Sequence, residues 1–154
     1  MSADVTLQPI ATVVGGRTEP IDDDWGDVEA TIVLDDRFPP DALAGLEAFS
    51  HVHVIFHFHQ VDEAKIETSA RRPRGRDDWP LVGVFAQRNK ARPNRIGATT
   101  CEILAVDGRV IRVRGLDAID GTPILDIKPH MSGYEPRGDV REPAWAKELM
   151  RGYW

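Results

Sequence analysis

The stretch HVHVIFHFHQ, residues 51 to 60, alternates between histidine and apolar residues except at Ile55, which takes a histidine's place. Successive side chains of an extended chain point to opposite faces, so Val52, Val54, Phe56 and Phe58 share one face while His51, His53, Ile55, His57 and His59 share the other. The first is a core face. Five more runs read as strands: 5 to 14 (VTLQPIATVV), 28 to 34 (VEATIVL), 81 to 87 (LVGVFAQ), 97 to 106 (GATTCEILAV) and 109 to 115 (RVIRVRG). All are rich in β-branched residues and end at Gly, Pro or Asp clusters. Asp107-Gly108 separates the last two. Both residue types tolerate the positive φ of a type I′ turn, so these strands are expected to pair antiparallel as a hairpin.

Helical signals are few. PPDALAGLEAF, residues 39 to 49, starts with proline and carries apolar residues at helical spacing, and EPAWAKELM, 142 to 150, is expected to form a second helix after Pro143. Short strands with one or two short helices predict a mainly β fold, a single small β-barrel. At 154 residues the chain, 1 to 154, is expected to be one domain that buries its core without disulfides or metals. No apolar run is long enough to span a bilayer, and MSADVTLQPIATVV lacks the features of a secretion signal, so a soluble, cytoplasmic protein with no membrane partner is expected. The single cysteine, Cys101, excludes an internal disulfide, suits a reducing compartment and reads as a small buried hydrophobe.

The formal net charge is -6, so the bulk field does not attract phosphate backbones and any nucleic-acid contact has to be local. A local basic patch exists: Arg71, Arg72, Arg74 and Arg76 in ARRPRGRDDWP, then Arg88, Lys90, Arg92 and Arg95. Such a run reads equally well as a solvated loop. A dinucleotide fold would need G-x-G-x-x-G between a strand and a helix; the early pair Gly15-Gly16 in VVGGRTEP leads into turn-forming and acidic residues instead. Four histidines in nine positions suggest a metal, but a zinc ion needs ligands converging at about 2.1 Å. Same-face neighbours on a strand stand ~6.6 Å apart, so two of them can share an ion and four in a row cannot. No metal is expected. His51 reads as structural, His53 and His57 as barrel wall, and His59 as the one histidine belonging to a site.

Three stretches look less like scaffold: 49 to 60, GVFAQRNKARPNRIG (83 to 97), and GLDAIDGTPILDIKPH (115 to 130). GLEAFSH, then F-x-F-H-Q, then GVFA-x-R with R-P-N-x-I-G, then LDAIDGTPILDIKP, in this order over residues 44 to 130, resemble the TsaA-like family, also called TrmO, of S-adenosylmethionine-dependent tRNA methyltransferases. The resemblance implies a small β-barrel enzyme, a homodimer, that binds S-adenosylmethionine without a Rossmann fold and methylates N6 of threonylcarbamoyladenosine beside the tRNA anticodon. It implies cofactor contacts at His59, Gln60, Arg88, Ala98 and the turn Asp120, Gly121, Thr122, Pro123 and Ile124. A backbone turn offers N–H and C=O groups to an adenine edge, and an arginine suits a methionine carboxylate. The family's Pro-Arg-Gln-Pro-Gly-like stretch has no residue-for-residue match in TEPIDDDWGD, and Arg95 stands where the R-P-N-P-I-G form of the motif has proline.

Methyl transfer to an N–H requires alignment of acceptor, carbon and sulfur, and removal of a proton. Asp126 is the candidate proton acceptor, with Arg92, Asn94 and Lys128 to orient the substrate. Asp126 and Lys128, two positions apart, equally suit an ion pair on one strand face. Arg71, Arg72 and Arg74 are the candidate RNA contacts. Two other readings share the pocket: a methyltransferase acting on a small molecule, and a non-catalytic S-adenosylmethionine-binding module.

Overall fold

The structure is a computed structural model and describes residues 2–154. Its strands are β1 (Ala11–Val14), β2 (Glu29–Leu34), β3 (His51–His57), β4 (Ala70–Arg71), β5 (Val82–Gly83), β6 (Ile96–Asp107), β7 (Val110–Arg114) and β8 (Pro123–Pro129), followed by one α-helix, α1 (Ala144–Leu149). The alternation of the histidine stretch holds: Val52, Val54 and Phe56 are buried, and His51, His53 and His57 are half-buried on the outer face. Because each strand has one such inward face, six of them close on themselves in the order β1-β2-β7-β6-β3-β8, with β8 paired back to β1. Every pairing is antiparallel. Closure leaves no open sheet edge in the barrel, and Val13, Ile32, Val52, Val54, Phe56, Ile111, Val113 and Ile124 fill its interior.

Two bulges make closure possible. β6 pairs with β3 over Ile96–Glu102 and with β7 from Glu102 to Asp107, and its register shifts between Ile103 and Ala105. β8 skips a residue against β3 between Ile55/Asp126 and Phe56/Ile124. An extra residue on one strand bends and twists it, which lets a long strand serve two neighbours. Close approach is handled at Gly97, opposite Phe56: a Cβ there would sit 2.6 Å from the Phe56 ring and 2.8 Å from Phe58.

The hairpin at Asp107-Gly108 forms, with Asp107 opposite Val110. Positive φ falls on Gly108 (59°) and not on Arg109, so the turn has the type II′ pattern of glycine at the first central position rather than the expected type I′. Other expectations are corrected. The strand expected from residue 5 starts only at Ala11; Pro9 has no N–H to give a ladder, and Val5 and Leu7 are exposed. The helix expected over 39–49 is two 3-10 turns, Pro40–Leu43 and Leu46–Ala48, because Gly45 between them adopts φ 90°. Leu43 and Leu46, three apart, still both face the core, since the 3-10 period also superposes i and i+3. The strand expected over 81–87 is extended only at Val82–Gly83 and then turns as a 3-10 segment, burying Val84 and Gln87 at the same spacing. The strand at Pro123–Pro129 lies outside the six expected runs; prolines at both of its ends concealed it.

Candidate functional site

Antiparallel pairing brings one end of each barrel strand to a common pole. Val14 of β1, His57 of β3, Ile96 of β6, Arg114 of β7 and Pro123 of β8 all end or begin there. The three segments singled out in the sequence meet at this pole. β3 stops at His57 because Phe58 N–H donates to Arg95 O (2.8 Å) and His59 N–H to His57 O (2.8 Å), a tight turn that breaks the strand alternation. His59 thereby faces the 119–122 turn: a Cβ on Gly121 would lie 3.8 Å from its Nε2.

That turn is locked. Thr122 N–H and Oγ1 both donate to Ile119 O (3.1 and 2.7 Å), and Gly121 at the third position has φ 83°, the type II geometry that glycine accommodates. Asp120 N–H donates to Arg17 O (2.7 Å), Gly121 N–H to Val13 O (2.7 Å), and Asp120 Oδ1 accepts from Gly15 N–H (2.8 Å). The N–H groups of Asp120, Gly121 and Thr122 are therefore all taken. The carbonyls of Asp120 and Gly121 accept nothing among the described residues, so the turn can receive a hydrogen bond from a ligand but cannot give one. This corrects the expectation that its N–H groups serve a ligand. Pro123 opens β8 opposite Thr12, and Ile124 is a fully buried core residue whose carbonyl accepts from Ile10 N–H.

Arg88 is exposed and donates from Nη2 to Ala98 O (2.7 Å), on β6 opposite Ile55. Gln60 is exposed just after His59. Asp117 accepts at one carboxylate oxygen from Thr99 Oγ1 and at the other from Tyr153 Oη. Burial, with the Asp117 charge and hydrogen bond, pushes the Tyr153 phenol upward, while the Arg88 charge opposes that rise. Neither Tyr153 nor the role of Gly15 was visible in the sequence: their partners lie 36 and 105 residues away, and only the Gly15-Gly16 pair hinted at a special turn.

The other candidates have partners within the chain. Arg92 Nη1 donates to Gln87 O (2.7 Å) and Asn89 O (3.5 Å), bracing its own loop. Asn94 has φ 65°, a backbone role in the turn before β6. Lys128 Nζ donates to Asp126 Oδ2 at 2.5 Å on the outer wall, so these two pair with each other. Asp126 is three residues along β8 from Pro123, or ~10 Å at strand rise. In the arginine stretch, Arg72 donates to Trp79 O (2.6 Å) and Arg74 binds Asp23 with both Nη atoms (3.1 and 2.9 Å). Asp23 holds Arg74 by a hydrogen bond that lowers the carboxyl pKa despite some burial. Arg71 lies on β4 opposite Val82.

The histidines have separate partners. Ser50 Oγ and His51 Nδ1 share a 2.7 Å hydrogen bond, Thr100 Oγ1 and His53 Nδ1 one of 2.9 Å, and Glu135 Oε1 and His130 Nε2 one of 3.1 Å. Burial, then Arg95 and His59, lower the pKa of His57. Among the described residues no three His, Cys, Asp or Glu side chains are grouped to hold a metal. A groove of about 380 Å³ opens at the opposite pole, lined by residues such as Leu34, Phe38 and Leu43 and by no charged side chain.

A closed antiparallel barrel that gathers a locked Asp-Gly turn, a histidine and an exposed arginine at one pole is a β-barrel class of protein, distinct from the glycine-rich nucleotide folds. The chain belongs to the family described as tRNA-methyltransferase O N-terminal domain, whose model matches residues 18–135. It is 40% identical over 105 residues to a human tRNA (adenine(37)-N6)-methyltransferase, covering 68% of this chain and 23% of that protein. It is 42% identical over 104 residues to the Escherichia coli protein of the same name, covering 65% of this chain and 44% of the relative. A probable S-adenosyl-L-methionine-binding protein of Pyrococcus abyssi is 37% identical over 115 residues, covering 75% and 59%. The crystal structure of TrmO from Pseudomonas aeruginosa superposes with a TM-score of 0.72 at 28% identity, covering 90% of this chain and 62% of that one. The chain thus spans less than two thirds of the length of each of these relatives.

Proposed function

We propose that this chain is an S-adenosylmethionine-dependent methyltransferase acting on N6 of a tRNA adenine, the threonylcarbamoyladenosine beside the anticodon. Family membership and the names of the relatives support the reading. The observation that carries it is the approach of His59 to the Asp120-Gly121 turn at the pole that also bears Arg88.

The residues present suit the cofactor. The free carbonyls of Asp120 and Gly121 accept from an adenine amino group, Gln60 gives or receives beside them, and Arg88 keeps guanidinium donors beyond its bond to Ala98 for a carboxylate. The bound cofactor supplies an activated methyl on sulfonium, so little activation is asked of the protein. The chain's task is orientation: fixed turns at 58–60 and 119–122 hold their groups without reordering, an effect that supplies ~7–11 kcal/mol in favourable systems. Proton removal is not assigned to Asp126, which is neutralised by Lys128 away from the rim.

The finer parts of the proposal are a homodimer, a cytoplasmic location and a single TsaA-like barrel domain over 1–154. The docking of α1 on the arginine loop, Trp79 Nε1 to Glu148 Oε2 at 2.8 Å, supports the last. Light scattering tests the dimer. A small-molecule acceptor is the second reading, favoured by the -6 charge and by the internal engagement of Arg72 and Arg74. A cofactor-binding module without catalysis is the third, and the wording of the Pyrococcus relative's name suits it.

Incubation with methyl-labelled S-adenosylmethionine and, separately, total tRNA or a small-molecule extract distinguishes the three: label in RNA, in the extract, or in neither. In calorimetry Arg88→Ala is expected to weaken cofactor binding by about ten- to a hundredfold, the size of a hydrogen-bonded charge. Unchanged affinity would remove Arg88 from the site.

A further inference from the structure

The family model ends at residue 135, yet the segment beyond it returns to the candidate site. Four contacts hold it. Glu148 of α1 accepts from Trp79 Nε1 (2.8 Å), Gly152 O accepts from Asp24 N–H (2.9 Å), Tyr153 O accepts from Trp25 N–H (2.8 Å), and Trp154 packs on Gly26 so closely that a Cβ there would meet its backbone at 2.6 Å. The Tyr153 ring stands edge-on to Trp154, 4.7 Å between centroids. This anchoring points the Tyr153 hydroxyl at Asp117, whose other oxygen is held by Thr99.

Two routes lead from this tail to the cofactor segments. By side chains, Tyr153 holds Asp117, Asp117 holds Thr99, and the residue before Thr99 is Ala98, whose carbonyl binds Arg88. By backbone, the tail pairs with 24–25; Arg17 donates to Asp23 O (2.6 Å) and stacks on Trp25 (4.5 Å), and Arg17 O receives Asp120 N–H of the turn. We infer that Tyr153, acting through Asp117, is a positioning residue for Arg88, so that the C-terminal tail is part of the cofactor-binding machinery.

The chemistry is specific. Asp117 is a carboxylate on the same pole as the arginine required for a ligand carboxylate, and left uncovered it competes for that arginine. Thr99 and Tyr153 occupy its two oxygens and leave the Arg88 guanidinium on Ala98 O, facing outward. A phenol is protonated through the neutral range, so Tyr153 stays a hydrogen-bond donor to Asp117, and Arg88 is among the charges that act on it.

This inference rests on the proposed cofactor reading, and the test separates the two. S-adenosylmethionine affinity is measured by calorimetry for the wild type, Tyr153→Phe, Arg88→Ala and the double variant, with melting temperature recorded for each. Tyr153→Phe keeps the ring and removes only the hydroxyl; Kd is expected to rise about tenfold with one site per chain retained, the size of one hydrogen bond to a charged group. In the Arg88→Ala background the same change is expected to add nothing, because it acts through that arginine. Under turnover KM rises while kcat at saturation is unchanged. Gly26→Ala, which displaces the tail end without altering Asp117 or Arg88, is expected to raise Kd in the same direction. Wild-type affinity in Tyr153→Phe, fewer binding-competent chains at unchanged Kd, or additive effects with Arg88→Ala overturn the positioning role. A wild type that binds no S-adenosylmethionine overturns the cofactor reading beneath it.

Discussion

At the residue scale, the same side-chain type takes different roles according to its partners. His51, His53 and His130 are each held by one hydroxyl or carboxylate, while His59 escapes the strand and meets Gly121. Alternation put His59 on the same face as His51, His53 and His57, and only its place before Gln60 at the strand's end set it apart; the sequence could not show that a turn at 57–59, rather than the strand face, aims the ring. Cys101 is the simplest case. It is buried, and that burial, aided by the Asp117 charge, pushes its thiol up to about 12. Thiol reagents at pH 8 are expected to modify the folded protein only at the rate of its opening, in contrast to immediate labelling in denaturant. Since the folded pKa lies above the unfolded value, the unfolded chain loses its proton first. The contribution to stability is complete below about pH 8.5, the ordinary thiol value, and is lost as pH rises toward the folded pKa. Denaturant midpoints measured from pH 8 upward are expected to fall more steeply for the wild type than for Cys101→Ala.

At the element scale, strands with clean alternation and a glycine-bearing turn were legible: β2, β3, β6 and β7 lie within a residue or two of their expected bounds. Elements with mixed signals were not, since Gly45 and Gly83 carry no side chain to reveal the period and Pro123 and Pro129 disguise β8. The loop of 71–76 shows what composition leaves out. Four arginines in six residues suggest a phosphate-binding surface, but Arg74 is clamped by Asp23 and Arg76 by Asp78, with Arg76 also stacked 4.0 Å over Trp79. Asp23 thus offsets the charge of Arg74, and Asp78 that of Arg76. Asp23, with its pKa lowered chiefly by the Arg74 hydrogen bond, binds fewer protons folded than unfolded, so its contribution is present above the ordinary carboxylate pKa and lost as pH falls through the folded one. Asp23→Asn keeps the shape and removes the charge. Proteolysis within 71–79 is expected to be faster in this variant than in the wild type at pH 7, with the difference shrinking as pH falls through the lowered pKa of Asp23. Equal rates at pH 7 would mean that backbone contacts alone fasten the loop.

At the scale of the whole molecule, apolar side chains fill the six-stranded barrel, so the proposed binding site lies in the loops at its rim, where the motifs converge. Order along the chain was readable from the motifs; their convergence was not, because it depends on β8 closing against β1 and on contacts as distant as Gly15 to Asp120. The charge of -6 then limits how RNA can be bound: the distant field repels phosphate, and attraction has to come from cations near the rim. Arg72 and Arg74 already bind groups of the chain itself, whereas no side-chain hydrogen bond engages Arg71 among the described residues. Each cation that truly contacts phosphate steepens the dependence of log affinity on log salt by about one unit, slightly less for single strands. Arg71→Ala is therefore expected to flatten the slope for tRNA by about one and weaken binding at low salt. Arg72→Ala, which removes a bond to the backbone of Trp79, is expected to lower the melting temperature with a smaller change of slope. Filter binding of labelled tRNA across a salt series reads both. If both variants alter the slope equally, the bond of Arg72 to Trp79 opens when RNA arrives and the loop is a contact surface after all; if neither does, the acceptor is not held by this face and the small-molecule reading gains.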